Sequence, residues 1–158
     1  MSSDAYATRS SSPADSAQYL TFRLGDEDYG IPILRVQEIR GVPSVTRLAG
    51  APIYVSGVMN LRGSVTPVID LRARLGLPQS ELTKQAVTII VGAAGRLVGW
   101  TVDAVSEVQS IAASTIEPPP PLGSTVDTSY LSGIAKVEER LIALLDIDCV
   151  FGLEPKTD

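Results

Sequence analysis

The sequence predicts an all-β protein made of two tandem small β-barrels with short helical segments. Two observations on composition and one internal repeat lead to this prediction. Hydrophobic residues make up 44% of the chain and aromatic residues only 5%, and the apolar residues are mostly Val, Ile and Leu, which favour strands. The chain also contains 13 glycines and 11 prolines, which divide it into the short runs expected of strands and turns rather than of long helices.

The chain contains two copies of one unit. At a constant offset of 76 residues, the segment 54–77 aligns with the segment 130–153, and most apolar positions stay apolar. The identical pairs are Tyr54/Tyr130, Ser56/Ser132, Gly57/Gly133, Asp70/Asp146, Gly76/Gly152 and Leu77/Leu153. A second alignment, at an offset of 69, joins 29–39 to 98–108. Because both alignments run in the same order, the chain is a duplication of a unit of about seventy residues.

Each copy is predicted to contain two hairpins. Alternating apolar and polar residues over 19–24 are typical of a strand with one buried face. Short apolar runs on either side of turn residues define hairpins over 18–34 and 55–71 in the first copy, and over 87–102 and 131–147 in the second. Four or five short strands without a long helix between them are best closed as a barrel, because closure removes exposed sheet edges.

Short helical segments are predicted at 71–75 and 148–151. Each segment is followed by a glycine in the position of a C-cap, so we expect the segments to cover the barrel ends. The run 117–121 is predicted to be extended, since successive prolines restrict the backbone torsion and donate no hydrogen bonds. A stiff connector within the second copy is the favoured interpretation of this run, and a ligand for a proline-binding domain is the alternative.

The expected domain organisation is one repeated region between two short tails. The repeated region spans 18–153, divided approximately into a first barrel over 18–82 and a second over 83–153, and exchange of strands between the barrels is left open. The tail 1–17 is rich in Ser, Ala and Asp, and we expect it to be disordered. It lacks the basic start and the apolar middle of a signal peptide. The residues 154–158 form the second tail.

The net charge argues against a surface for nucleic acid or anionic lipid. The chain has 13 basic and 18 acidic side chains and no histidine, which gives a net charge of −5 at pH 7, whereas phosphate-binding surfaces are basic. Six arginines nevertheless fall between positions 35 and 74 against two acidic residues, a local excess of 6 − 2 = +4. We interpret this segment as an arginine-rich patch that suits an acidic partner surface, because arginine makes bidentate contacts at modest desolvation cost.

Cysteine content and hydropathy predict a cytoplasmic protein. The single Cys149 cannot form an internal disulfide, which favours a reducing compartment. No apolar run reaches the ~18 residues needed for a membrane-spanning helix. We therefore expect no direct membrane insertion.

An enzyme and a nucleic-acid-binding barrel are the two alternative functions. The chain has no histidine, no second cysteine for a metal cluster and no phosphate-binding loop, so we expect no enzymatic activity, no metal and no cofactor. A barrel that binds nucleic acid needs a basic face interleaved with aromatic residues. Tyr54 is the only aromatic residue in the arginine-rich segment, and Trp100 falls on a predicted strand where core packing is favoured. We therefore expect no nucleic-acid partner.

The repeat separates scaffold positions from candidate functional positions. Positions that are alike in both copies are explained by the shared fold, whereas a polar position found in only one copy needs another reason. Gly57 and Gly133 are assigned to the scaffold, since a strand glycine permits a bend or a close backbone approach. Asp70 and Asp146 are likewise expected to accept hydrogen bonds from backbone donors near a strand end.

The segment 60–63 differs between the copies. It reads Asn-Leu-Arg-Gly, whereas its counterpart 136–139 reads Lys-Val-Glu-Glu. Arg62 is predicted to stand at the junction of a strand and a turn, where its side chain reaches outward. We interpret Arg62 as a candidate binding residue, and an ordinary solvated arginine at a hairpin tip is the alternative.

The first copy carries a recognisable signature. It consists of Tyr54-Val55-Ser56-Gly57-Val58-Met59-Asn60-Leu61-Arg62-Gly63, followed by Val65-Thr66-Pro67-Val68-Ile69-Asp70-Leu71. Together with 29–39 and 131–146, this signature resembles the CheW family of chemotaxis coupling proteins, and the resemblance extends over about 19–153. It implies two SH3-like five-stranded β-barrels packed together, and a scaffold protein without enzymatic activity.

The resemblance also implies two partners. Proteins of this family link transmembrane chemoreceptors to the histidine kinase CheA, and a flagellar, a pilus or another chemosensory pathway would use the same architecture. The groove between the barrels would accept the cytoplasmic tip of the receptor, and the first barrel would meet the regulatory domain of the kinase. A cytoplasmic protein recruited to membrane receptor arrays is therefore expected. One departure from the family is 48–52, Leu-Ala-Gly-Ala-Pro, where Leu-Pro is usual, and the added glycine makes this turn more flexible.

Site residues follow from the same resemblance, position by position. The receptor-binding positions that it implies are Val36, Gly57, Val58, Asn60, Arg62 and Val105. The kinase-binding positions that it implies are Glu38 and Arg40. An apolar strip of Val36, Val58 and Val105 would receive the partner's helix, and Arg62 would pair with a carboxylate or with helix C-terminal carbonyls.

Overall fold

The chain folds into two β-sheets with a few short helices. A computed structural model describes residues 16–78, 81–93, 95–119 and 128–151, and over these residues one sheet has six strands and the other has five. The prediction of an all-β fold with short helical segments is confirmed. No helix within these ranges is long and apolar enough to cross a membrane.

The secondary structure follows the predicted hairpins closely. In chain order the strands are β1 (Ser16–Leu24), β2 (Glu27–Pro32), β3 (Val36–Gly41), β4 (Val55–Leu61), β5 (Ser64–Asp70), β6 (Val87–Ala93), β7 (Arg96–Val102), β8 (Ala104–Ala112), β9 (Ile116–Glu117), β10 (Leu131–Val137) and β11 (Arg140–Leu145). The α-helices are α1 (Leu71–Arg74) and α2 (Ile147–Phe151), and single 3-10 turns form at Ile33–Arg35, Ala113–Thr115 and Thr128–Tyr130. The predicted tail 1–17 is too long by two residues, because Ser16 and Ala17 pair with Ala112 and Ile111 in β8. Its remainder, the tail 154–158 and the last two residues of the run 117–121 lie outside the described residues.

The two copies exchange their first hairpins. The five-stranded sheet has the order β3-β6-β7-β5-β4, and the six-stranded sheet has the order β9-β10-β11-β2-β1-β8. The exchange is made by two parallel pairings, β2 with β11 and β5 with β7, and by two antiparallel pairings, β1 with β8 and β3 with β6. Each sheet therefore contains strands from both copies, and neither 18–82 nor 83–153 corresponds to one sheet. The larger sheet has six strands rather than the predicted five because it includes the two-residue strand β9.

Each sheet curls until its edge strands meet. In the five-stranded sheet, Thr46 follows the edge strand β3 and pairs with Val58 of the opposite edge strand β4 through N–O distances of 2.8 and 2.9 Å. In the six-stranded sheet, the edge strands β8 and β9 are separated only by Ala113–Thr115. So short a connection places the end of β8 next to the start of β9, so the two edges of this sheet approach each other at that point.

Two repeat-equivalent glycines lie at these seams. A Cβ atom placed on Gly57 would lie 2.5 Å from the carbonyl oxygen of Thr46, and one placed on Gly133 would lie 2.5 Å from Cγ2 of Ile116. Any side chain at either position would push the closing segment away from the strand. The interpretation of both glycines as scaffold positions is confirmed.

The two sheets share one main core. Its fully buried members include Phe22 and Tyr29 from the six-stranded sheet, and Ile89 and Trp100 from the five-stranded sheet. Burial, and secondarily the charge of Glu27, raise the pKa of the Tyr29 hydroxyl above its ordinary value, so this group remains a neutral donor to Glu27 Oε1 at 3.1 Å. Each sheet also has a smaller cluster of its own. The expectation that Trp100 packs in the core is confirmed.

The short helices are capped as the repeat predicts. Asp70 Oδ1 accepts a hydrogen bond from the backbone N–H of Arg72 at 3.1 Å, and Asp146 Oδ1 accepts one from that of Cys149 at 3.2 Å. Gly76 adopts a φ of +77° and ends α1 as a glycine C-cap. The corresponding glycine after α2, Gly152, lies outside the described residues.

Candidate functional site

The candidate site is built on the turn between β4 and β5. Arg62 and Gly63 form this two-residue loop with φ angles of +50° and +90°, which is the combination that a type I′ hairpin turn requires. The side-chain carbonyl of Asn60 accepts a hydrogen bond from the backbone N–H of Gly63 at 2.8 Å. Asn60 therefore holds the turn, and its exposed side chain is already engaged within the protein.

The same turn in the second copy shows what Arg62 is not needed for. Glu138 and Glu139 occupy the loop between β10 and β11 with φ angles of +51° and +72°. The turn conformation is thus kept without arginine or glycine, although a left-handed conformation costs a side-chain-bearing residue about 1 kcal/mol. The identity of Arg62 must be explained by its side chain rather than by its backbone.

Arg62 forms an ion pair with Glu38. The distance from Arg62 Nη2 to Glu38 Oε2 is 2.7 Å, and the exposed fractions of the two side chains are 66% and 31%. Glu38 lies on the edge strand β3, whereas Arg62 follows β4 at the opposite edge, so the pair spans the seam of the five-stranded sheet. Ion pairs this exposed contribute ~1 kcal/mol or less to stability, which means that Arg62 can exchange its partner at little cost.

The structure unites residues that the family resemblance had divided between two partners. Glu38 was predicted to face the kinase and Arg62 to face the receptor, yet their side chains are in contact. Arg40 lies on the same strand as Glu38, and its side chain is exposed. These three charged residues belong to one surface around the β3–β4 seam.

The predicted apolar strip is more buried than expected. Val36 and Val105 are half-buried and pack against the shared main core from different sheets. Val58 is half-buried too, and its backbone is held by Thr46. Gly57 is buried beneath the same segment. Each of the three valines therefore exposes only part of its area, and their contact with a receptor remains a prediction.

Sequence reasoning missed the exposed apolar residues on β3 and in the segment that follows it. The strand β3 and the segment that follows it expose large apolar side chains, Ile39, Val42, Leu48 and Ile53. Ile53 is the most exposed of them, at 86%. Exposed apolar side chains mark an interaction surface where they form one continuous patch. The sequence feature that could have revealed them is the set of apolar residues within a predicted loop, where burial in the core is not expected.

A cleft opens beside Val42. Its volume is about 370 Å³, and its apolar lining includes Val42, Pro43 and Leu82. Ser56 and Glu81 are among its polar lining residues. The size fits a few side chains of a partner rather than a whole helix.

The predicted arginine-rich patch is only half as large as the sequence suggested. Arg35 donates to the carbonyl of Gly92 and pairs with Asp148, Arg72 is buried, and Arg74 is packed between aromatic rings. The members with exposed side chains are Arg40, Arg47 and Arg62. Counting charges along the chain overestimated the patch because half of these arginines are used inside the fold.

Buried Arg72 joins the two sheets. Its Nη1 lies 3.4 Å from Oδ1 of Asp103, the single residue between β7 and β8 where the chain crosses from one sheet to the other. The second oxygen of Asp103 accepts a hydrogen bond from the backbone N–H of Gly25 at 2.6 Å. Arg72 is therefore a structural residue of the connection between the sheets.

Comparisons with known proteins agree with this architecture. The family described as "CheW-like domain" matches residues 18–154. The chemotaxis protein CheW of Klebsiella aerogenes is 42% identical over 137 residues, which cover 87% of this chain and 82% of that protein. The chemotaxis protein CheW of Rhizobium meliloti is 39% identical over 139 residues, with coverages of 88% and 90%. The crystal structure of the scaffolding protein TtCheW from Thermoanaerobacter tengcongensis matches with a TM-score of 0.82 at 37% identity, over 90% of this chain and 97% of that one.

Proposed function

Because the chain belongs to the family of CheW-like domains, we propose that it is a non-catalytic adaptor that couples chemoreceptors to the histidine kinase CheA in a chemosensory array. The observation that carries the proposal is the match over nearly the whole described chain to proteins named as chemotaxis and scaffolding proteins. The protein would act by assembly alone. It would be recruited from the cytoplasm to membrane receptor arrays through its two partners.

We assign the receptor tip to the surface around the β3–β4 seam. Exposed apolar side chains, Ile39, Val42 and Leu48, lie on β3 and in the segment after it, and the charged pair of Arg62 and Glu38 involves the same edge strand. Apolar and charged groups at one sheet edge would suit the face of an amphipathic helix. Arg62 would leave Glu38 for a carboxylate or a helix C-terminus of the receptor, since a guanidinium binds such groups in a bidentate manner.

The regulatory domain of the kinase is assigned to the same five-stranded sheet, through Glu38 and Arg40. When a receptor engages Arg62, Glu38 loses its partner and becomes available for a cation of the kinase. The ion pair of Glu38 with Arg62 supports this coupling because one carboxylate serves both surfaces. Receptor binding would in this way change the charge that is presented to the kinase.

The test is the affinity of an Arg62→Ala variant for a cytoplasmic receptor fragment, measured by calorimetric titration. We expect a loss of ~2 kcal/mol, or about thirtyfold in Kd, if Arg62 is a central anchor. The melting temperature should change little, because the ion pair is exposed. A matched control is Glu138→Ala, which places alanine in the same left-handed turn position of the second copy.

Unchanged receptor affinity of Arg62→Ala would remove the assigned role of Arg62. An equal loss of affinity in Glu138→Ala would show that the turn rather than the guanidinium is responsible. The adaptor proposal itself is tested by co-purification of the wild-type protein with both the receptor fragment and the CheA regulatory domain. Failure to recover either partner would contradict it.

A further inference from the structure

Arg74 lies between two aromatic rings that belong to different copies of the repeat. Its guanidinium carbon Cζ is 4.7 Å from the ring centroid of Tyr54 and 5.0 Å from that of Tyr130. Tyr54 directly precedes β4 in the five-stranded sheet, and Tyr130 directly precedes β10 in the six-stranded sheet. A cation within about 6 Å of a ring centroid is attracted by the ring, so Arg74 is held from both sides.

Two hydrogen bonds of Arg74 also cross between the copies. Its Nε donates to the backbone carbonyl of Val150 in α2 at 2.7 Å, and its Nη1 donates to the hydroxyl of Tyr130 at 2.7 Å. Val150 is the repeat equivalent of Arg74, since their numbers differ by 76, as those of Tyr54 and Tyr130 do. The arginine of one copy therefore bonds to its own counterpart in the other, at the place where the copies meet.

Only the first copy supplies a polar side chain for this contact. Val150 has an apolar, fully buried side chain and cannot return the interaction. A second arginine at position 150 would bring two like charges together between the same rings. As at position 62, a polar residue that is present in only one copy needs a reason beyond the shared fold.

We propose that Arg74 is a positioning residue that sets the orientation of the two sheets relative to each other. The main core already supplies apolar contact between the sheets, but apolar burial is not directional. Hydrogen bonds and ring stacking are directional, and Arg74 combines two of each at the junction of the copies. Arg74 thus fixes an angle, whereas the core supplies the cohesion.

The role of Arg74 goes beyond the proposed function, and only its effect on receptor binding rests on that proposal. If the surface around the β3–β4 seam receives a receptor, the placement of the six-stranded sheet relative to that surface follows from the angle that Arg74 sets. The angle itself is a property of the free protein. A measurement without any partner therefore tests the role of Arg74 even if the adaptor proposal fails.

The experiment is a distance measurement between spin labels by pulsed EPR on the full chain. Labels are placed at Ser64→Cys in β5 and Ser110→Cys in β8, two exposed positions on different sheets, in a background that carries Cys149→Ser. The variants are Arg74→Met, which keeps a long side chain without donors, and Arg74→Lys, which keeps the charge without the planar group. We expect both variants to broaden or shift the distance distribution, while the far-UV circular dichroism stays that of the wild type.

The matched control is Arg23→Met, because the Arg23 side chain contacts Asp28 and Gly25, which belong to its own hairpin. Its distance distribution should equal that of the wild type. If Arg74→Met unfolds the chain, Tyr54→Leu replaces it, since this change removes one ring and leaves both hydrogen bonds of Arg74 in place. A distribution that is unchanged in Arg74→Met, or in Tyr54→Leu where that variant is needed, overturns the inference. A wild-type distribution in Arg74→Lys does so too, because charge alone would then suffice.

Discussion

Arg72 and Asp103 show how a single buried pair connects the two sheets. The exposed fractions of the two side chains are 5% and 9%, and Asp103 also accepts a hydrogen bond from the backbone N–H of Gly25. Both side chains are shielded from bulk water, and Arg72 Nε also lies 3.9 Å from Asp70 Oδ1, so the two carboxylates balance its charge. The count of charges over 35–74 did not distinguish this arginine from Arg62, because both stand in the same basic segment and their depth in the fold separates them.

Removing the carboxylate of Asp103 is expected to destabilise the fold. Asp103→Ala should lower the free energy of unfolding by ~3 kcal/mol, because the buried guanidinium of Arg72 loses a partner. Urea denaturation measures this change. The control is Asp148→Ala at the exposed ion pair with Arg35, where a loss of ~1 kcal/mol or less is expected. Equal effects in the two variants would contradict a special role for the buried pair.

At the scale of the elements, the seams of the two sheets depend on one glycine each. The seam of the five-stranded sheet brings Thr46 against Gly57 and Val58, and the Arg62–Glu38 pair crosses it nearby. A substitution at Gly57 therefore acts first on the seam, and it would move the surface assigned to the receptor without touching the partner directly. The proposed receptor contact of Gly57 remains a prediction.

Gly57→Ala is expected to destabilise the protein by about 2 kcal/mol, because the new methyl group collides with the Thr46 carbonyl and the seam must shift. Gly41→Ala is a matched control in the same sheet, since a Cβ atom there meets nothing within 4 Å, and its effect should stay within ~0.5 kcal/mol. Thermal denaturation followed by circular dichroism compares the two variants. A Gly57→Ala protein as stable as Gly41→Ala would show that the seam tolerates a side chain.

At the scale of the whole molecule, the exchange of hairpins changes which segment of the chain contains all strands of one sheet. All strands of the five-stranded sheet lie within 33–102, and so do the residues of its own cluster, Met59, Leu61, Val68 and Ile90. The segment 18–82, which the repeat suggested as the first barrel, lacks β6 and β7 and carries a hairpin of the other sheet. The shared core then holds both sheets together as one body.

Two fragments distinguish these divisions of the chain. The fragment 33–102 should show dispersed amide resonances and the circular dichroism of β-structure, because it contains every pairing of one sheet. The fragment 18–82 should be unfolded, since β5 and β3 both lose their neighbours from the second copy. Nuclear magnetic resonance on the two fragments under the same conditions is the measurement. A folded 18–82 beside an unfolded 33–102 would contradict the exchanged arrangement.

Local patterns in the sequence were sufficient for the strands of the four hairpins, their turns, the helix caps, the duplication and the family, because each depends on neighbours along the chain or on an offset within it. They did not place the strands β3, β8 and β9. The choice of partner strands was decided only by the tertiary structure, since parallel pairing joins segments that no local pattern relates. The same holds for the arginines: residues of one type in one segment became a surface charge at Arg62, a buried pair at Arg72 and a stacked cation at Arg74. Their roles differ because desolvation and distance, which the fold sets, determine what a charge does.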